Sequence, residues 1–224
     1  MKLYMHPIST ASRPVRMLIA ENGIPCDEEL VDILKGAHYQ EPYASLNPNR
    51  LVPMLEEDDF RLTEGSAILK YLADKYDLPS YPKDPKKRAR VNEMMDWLNT
   101  QFYRDFGYGV VYSQIFPHHK RRSDEAHAGA IAWGQQGAKR WLQVLNEHWL
   151  GPKNRYLCGS ELTIADYLGA AFVSIGELIG CDLAAYPNIK RWLDNMKQLK
   201  SWNQINEVFS GFVAANKDKE FVRV

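Results

Sequence analysis

The chain has no excess charge of either sign, few cysteines and no long apolar run, and each shortage removes a class of function. Lysine plus arginine and aspartate plus glutamate balance at 28 each. Without a net field, nothing draws the protein toward nucleic acid or anionic lipid at long range. Cys26, Cys158 and Cys181 are odd in number, far apart and never spaced as CxxC. That excludes a disulfide scaffold, a zinc site and a thioredoxin-type dithiol, and it fits a reducing cytoplasm. The longest apolar candidate, Leu168 to Gly180, is interrupted by Glu177 and too short to span a bilayer. The opening MKLYMHP lacks the apolar stretch of a signal peptide, so none is expected. No repeat or low-complexity tract is present. No nucleic-acid, membrane or metal partner is expected.

What is present is ordinary globular composition arranged in two unlike parts. The 224 residues are 45% hydrophobic, enough for a substantial core in one large domain or two small ones. The segments KLYM, EELVDI (28–33) and the paired strands of VPMLEEDDFRL read as strands around an acidic turn. Val15, Leu18 and Ile19 share one helical face that ends at Gly23, and Leu69, Leu72 and Tyr76 share another. The order is β-α-β-α-β-β-α to about residue 77, which implies a parallel pair with a right-handed crossover. The proline-rich DLPSYPKDPKK then breaks all regular structure. Beyond it the stripes are helical, such as Val91, Met94, Met95, Leu98 and Phe102. The expected division is an α/β domain over 1–78, a linker over 79–86 and an all-helical domain over 87–224. In LTIAD, Thr163 and Asp166 have the spacing of a capping box, with Leu162 and Tyr167 as its staple, so Asp166 is read as structural.

Four stretches hold residues suited to chemistry. HPISTASRPVRMLIAENG places Ser9, Thr10 and Ser12 before a helix that one hydroxyl would cap. In NPNRLVPML, Val52-Pro53 opens a strand and is a candidate cis bond that would expose the Val52 backbone to an extended ligand; a plain edge-strand proline is the alternative. In RLTEGSAILKYL, Glu64, Gly65 and Ser66 start a helix, where free N–H groups favour a carboxylate and Glu64 suits an ammonium; an ordinary acidic first turn is the alternative. His38 lies near the start of another helix. Tyr103, Phe106, Tyr108, Tyr112 and Phe116 crowd the first long helix, as an apolar pocket or as core packing. HHKRR, from His118 to Arg122, reads as a solvated loop, because adjacent histidines diverge on a helix.

In this order the motifs resemble the cytosolic glutathione transferase family, most closely its theta-like, serine-type group. STASR puts Ser9 four residues before Arg13, KGAH supplies His38, VP supplies Val52 and Pro53, and LTEGSAI supplies Glu64. The resemblance covers most of the chain and implies a thioredoxin-like N-terminal domain followed by the helical one. It implies glutathione as co-substrate, no metal, a small hydrophobic electrophile, a cytoplasmic detoxification role and a homodimer. It assigns His38 to the glycine carboxylate, Val52 to the cysteinyl backbone and Glu64 to the γ-glutamyl end. Gly65 stands where the family has serine, with Ser66 beside it. Leu51 stands where a lysine is common, with Arg50 adjacent. On this basis Gly65→Ser is expected to tighten glutathione binding.

A serine cannot serve as base, but it can donate to a thiolate and lower the thiol pKa from about 8.5. Ser9 is expected to do so, with Ser12 capping the helix or assisting and Thr10 as the third candidate. The alternatives are a glutathione-dependent disulfide reductase and a non-catalytic interaction module of the same fold.

Overall fold

The computed structural model describes residues 1–224. Strand β1 (Lys2–Met5) buries Leu3 and Met5 on one face. Helix α1 (Ser12–Asn22) buries Val15, Met17, Leu18 and Ile19 and stops at Gly23, whose φ of 61° suits a residue without a side chain. Strand β2 (Asp27–Leu30) then pairs in parallel with β1, Lys2 opposite Asp27. Strands β3 (Met54–Glu57) and β4 (Phe60–Thr63) add on antiparallel, giving the order β2-β1-β3-β4. Helix α3 (Gly65–Lys75) buries Ile68, Leu69 and Leu72. This four-stranded sheet with its helices is the thioredoxin-like arrangement expected.

Two local expectations fail between β2 and β3. The strand expected over 28–33 ends at Leu30, because Asp32 caps a 3-10 turn over Ile33–Lys35, its Oδ1 accepting from the Lys35 N–H at 3.2 Å. No full helix follows. His38 sits on a second 3-10 turn, Ala37–Tyr39, and helix α2 is one turn long, Tyr43–Leu46. Gly36, at φ 77°, and prolines 42 and 48 punctuate the segment too closely for longer helices.

The rest of the chain is helical. Asp84 caps α4 (Pro85–Trp97), its Oδ1 accepting from the Lys87 N–H at 2.9 Å, with Pro85 in the first turn. α4 runs on unbroken through a π-helical stretch, Leu98–Val111, into a final turn, α5 (Tyr112–Ile115). Helix α6 (Asp124–Val144) starts at the Ser123 cap and packs back against the π stretch. The backbones touch where Gly109 meets Gly134. A Cβ on Gly134 would lie 2.7 Å from the Gly109 carbonyl carbon. Helix α7 (Ile164–Ser174) is buried along its whole length, with α8 (Pro187–Met196) and α9 (Trp202–Asn216) outside it. One continuous apolar core joins Leu3 and Leu18 of the sheet half to Phe102, Phe172 and Trp192 of the helical half. No helix is long and apolar enough to cross a membrane.

Asp166 is a fully buried knot at the start of α7. Its Oδ2 accepts from the Thr163 N–H at 2.8 Å and the Thr163 hydroxyl at 2.9 Å. Its Oδ1 accepts from the Leu157 N–H at 2.8 Å and the Trp192 indole at 2.9 Å. The capping box is present, and it also holds the preceding loop and α8. Asp166→Ala leaves these donors unpaired in the core, so it should cost on the order of 3 kcal/mol of stability or more. Urea denaturation measures the loss, and a change below about 1 kcal/mol would show that the knot is dispensable.

Candidate active site between the two halves

The hydroxyl cluster is built by the turn that leads into α1. The His6 carbonyl accepts from the Ser9 N–H at 2.9 Å, and His6 Nδ1 accepts from the Ile8 N–H at 3.2 Å. The Ser9 carbonyl accepts from Ser12 and Arg13, at 3.1 and 3.0 Å, and Ser9 Oγ accepts from the Ser12 N–H at 3.2 Å. Ser9 is therefore the residue that caps α1. The expected capping role of Ser12 is wrong: its hydroxyl is buried, without a partner and off the cavity wall. Because Ser9 Oγ caps as an acceptor, its own proton is left for the cavity it lines.

That cavity holds about 800 Å³ between the sheet half and the helical half. The sheet side brings together Ser9, Thr10, His38, the segment Arg50–Pro53, and Glu64, Gly65 and Ser66. The helical side contributes Tyr103, Tyr108, Tyr112 and Phe116. Phe106 is not among them. It is fully buried, 5.0 Å from Phe102 between ring centres, with Gly176 against its ring edge, and belongs to the core. His118 and His119 also line the cavity, where the sequence suggested only a solvated loop.

The sheet side offers free backbone groups beside its side chains. The Val52-Pro53 bond is cis, and the Val52 N–H and carbonyl form no hydrogen bond within the chain. The segment is steadied from behind, where Asn47 Nδ2 at 2.8 Å and the Tyr43 hydroxyl both donate to the Leu51 carbonyl. Tyr43 and Asn47 went unnoticed in the sequence. Their signal is an asparagine one helical turn after a tyrosine and just before Pro48. Gly65 and Ser66 present the unpaired N–H groups of the α3 N-terminus, and Glu64 precedes them at φ 67°, a conformation that strains a side-chain-bearing residue. Leu51 and Arg50 are exposed at the rim.

Gly65 has a steric role that the sequence did not reveal. A Cβ there would lie 2.9 Å from the Ala11 carbonyl oxygen, where α3 meets the start of α1. The expected benefit of a serine at 65 is therefore withdrawn.

Positive charge gathers beneath the α1 N-terminus. The Arg13 guanidinium is completely buried and donates to the Ala171 carbonyl at 2.9 Å, Asn206 Oδ1 at 2.8 Å and Ser174 Oγ at 3.2 Å. It stacks 3.8 Å from the Phe209 ring centre. Burial pulls its pKa down to about 10, so it stays charged at neutral pH, and none of its hydrogen-bond partners is a carboxylate. This charge adds to the positive end of the α1 dipole one turn from Ser9. His38 is held below its usual pKa by burial and by His118, and His119 by burial first. Both are neutral donors near pH 7.

The aromatic side depends on the unusual winding of its helix. An α-helix would place residues 103 and 108 about 140° apart, and 103 and 112 about 180° apart. The looser i→i+5 ladder gathers all three on one face. The rings of Tyr103, Tyr108 and Tyr112 lie 5.1 to 5.8 Å apart. Tyr103 stacks on Phe172 at 4.0 Å, and only a glycine at 107 leaves room for its ring.

Comparison with known proteins agrees with this architecture. Residues 3–80 match the model of the glutathione S-transferase N-terminal domain, and residues 124–200 match that of the C-terminal domain. Human glutathione S-transferase theta-1 is 32% identical over 200 residues, 86% of this chain and 80% of that protein. Drosophila melanogaster glutathione S-transferase D7 is 30% identical over 214 residues, 90% of this chain and 87% of that protein. The crystal structure of human glutathione transferase theta-2, in complex with glutathione and an unknown ligand, superposes with a TM-score of 0.83 at 26% identity, covering 99% of this chain and 92% of that one.

Three substitutions check this geometry by thermal or urea unfolding. Gly65→Ser should destabilise the fold by about 1–3 kcal/mol, as overpacking against a backbone atom does. An unchanged or higher stability would show that α3 shifts freely. Ser9→Ala should cost about 1 kcal/mol as a lost cap, and Ser12→Ala should cost nothing or stabilise by removing an unpaired buried hydroxyl. The reverse ranking would return the cap to Ser12.

Proposed function

This chain belongs to the glutathione S-transferase family, and we propose that it joins the glutathione thiolate to small hydrophobic electrophiles, with Ser9 as the group that stabilises the thiolate. The observation that carries this is Ser9 on the cavity wall, its Oγ accepting from the Ser12 N–H and so left to donate, one turn from the buried Arg13 charge. A thiol of pKa about 8.5 is mostly protonated at pH 7, and the anion is the nucleophile. Hydrogen-bond donation and nearby positive charge both favour the anion. The thiol proton leaves to solvent, and the thiolate attacks an electrophile seated against Tyr103, Tyr108, Tyr112 and Phe116; with an aromatic halide the carbon–sulfur bond forms, the carbon–halogen bond breaks and halide departs to solvent.

The sheet side suits the remainder of glutathione. The free Val52 N–H and carbonyl suit the cysteinyl backbone. The N–H groups of Gly65 and Ser66 suit the γ-glutamyl carboxylate, and Glu64 its ammonium. Neutral His38, with Arg50 at the rim, suits the glycine carboxylate. Transfer is favoured over a dithiol mechanism because no cysteine lines the cavity. Burial pushes Cys26 up to about 11 and Cys158 up to about 12, and it raises Cys181 as well.

The finer assignments follow the same reading. Residues 1–78 form the glutathione-binding domain, 79–86 the linker, whose last two residues already belong to the first turn of α4, and 87–224 the electrophile-binding domain. The protein works as a cytoplasmic homodimer in detoxification. Exposed Phe60 in the sheet half and Trp133 in the helical half supply apolar surface for that pairing.

Ser9→Ala should leave glutathione affinity by calorimetry nearly unchanged, raise the bound thiol pKa by about 1–2 units and slow conjugation of an aromatic halide at least about tenfold at pH 7. Full activity in this variant would overturn the Ser9 assignment. Reduction of a glutathione mixed disulfide without conjugation would favour the reductase. Sedimentation at micromolar concentration should give twice the 25.8 kDa chain mass, and a monomer would remove the dimer.

A further inference from the structure

Three hydroxyls run in line from the helical half to the start of α1. Tyr112 donates to Thr10 Oγ1 at 2.6 Å, and the Tyr103 and Tyr112 oxygens are also 2.6 Å apart. Each hydroxyl has a single proton to give. Tyr112 gives its proton to Thr10, so the bond between the two phenols takes its proton from Tyr103. Thr10 makes no other side-chain hydrogen bond and lines the cavity beside Ser9. Its own proton is therefore the free end of the line.

The geometry points to Thr10 as a second donor to the glutathione thiolate, with Tyr112 and Tyr103 as positioning residues that orient and polarise its hydroxyl from the other half of the molecule. This rests on the proposed reading that the thiolate sits at the α1 N-terminus. Burial holds both phenols above their ordinary pKa, so they keep their protons throughout the pH range of the reaction. The line can only donate, and the thiol proton still goes to solvent. Hydrogen bonds in series reinforce one another, so the last donor is stronger than an isolated threonine. Without Tyr112, the Thr10 hydroxyl would be free to rotate and to accept as readily as donate.

Other ionisable groups face the same space. His38, Arg50, Glu64, Tyr108, His118 and His119 line it, and Arg13 acts on Tyr112 from beneath. Their contributions are common to every variant below, so differences between variants report the hydroxyl line.

The test is the ultraviolet absorbance of bound thiolate against pH for the wild type, Thr10→Val, Thr10→Ser, Tyr112→Phe, Tyr103→Phe, the double variant Thr10→Val/Tyr112→Phe, and Ser9→Ala. Thr10→Val should raise the thiol pKa by about one unit and Tyr112→Phe by about half a unit, with Tyr103→Phe smaller and glutathione affinity within about twofold. Thr10→Ser should stay near the wild type. The double variant should match Thr10→Val alone, because Tyr112 acts through Thr10. If Tyr112→Phe lowers the melting temperature but leaves the thiol pKa in place, the line is only a tie between the two halves and the inference falls. Additive shifts in the double variant would also overturn it. A shift in Ser9→Ala alone would refute the relay and keep the Ser9 reading. Shifts in Thr10→Val and Tyr112→Phe alone would keep the relay and refute Ser9. No shift in any variant, or no glutathione bound to the wild type, would defeat both.

Discussion

A buried positive charge with no carboxylate partner organises this molecule. Taking the Arg13 guanidinium out of water is costly, and hydrogen bonds and ring stacking, with a more distant attraction from Glu177, offset that cost. Those partners come from elsewhere in the chain: Ala171 and Ser174 on α7, Asn206 and Phe209 on α9. The charge can be accommodated only when both helices are docked on α1. The requirement that stabilises the guanidinium thus also fixes where α1 begins relative to the helical half, and so where Ser9 and Thr10 face the aromatic wall. Glu21 of α1, whose carboxylate accepts from the Ser201 N–H at 2.6 Å, closes the same joint near the other end of the helix.

The elements that stand on simple periodicity were legible in the sequence. Alternation in KLYM, the helical stripe ending at Gly23 and the Thr163–Asp166 spacing each have one physical solution, and the structure adopts it. The residues of the sheet-side wall were legible for a different reason: Val52-Pro53 and Glu64-Gly65-Ser66 mark backbone conformations that proline and helix starts impose.

What was hidden depends on contacts between distant segments or on an uncommon helix. A 3.6-residue period carries the apolar stripe correctly from Val91 to Phe102. Phe106, four residues after Phe102, continues that buried stripe, while the π winding that starts at Leu98 gathers Tyr103, Tyr108 and Tyr112 at the cavity. Gly65 looked like a lost hydroxyl because the Ala11 carbonyl is more than fifty residues away in sequence. Ser9 and Ser12 both suit a cap by type, and only the turn at His6 decides between them. His118 and His119 looked solvated because sequence does not show that their rings fold back against Phe116 and Tyr112 in this wall.

The two faces of the cavity are made of different material, and that has an evolutionary consequence. Across from the tyrosines, the surface includes main-chain N–H and carbonyl groups at Val52, Gly65 and Ser66, which most side-chain replacements leave in place. The opposite face is made of side chains on a helix whose path is pinned by the Gly109–Gly134 backbone contact. Point mutations there alter the shape and polarity of the wall without moving the scaffold. Descendants of such a chain can reshape the helical wall one residue at a time while the sheet-side backbone groups stay the same.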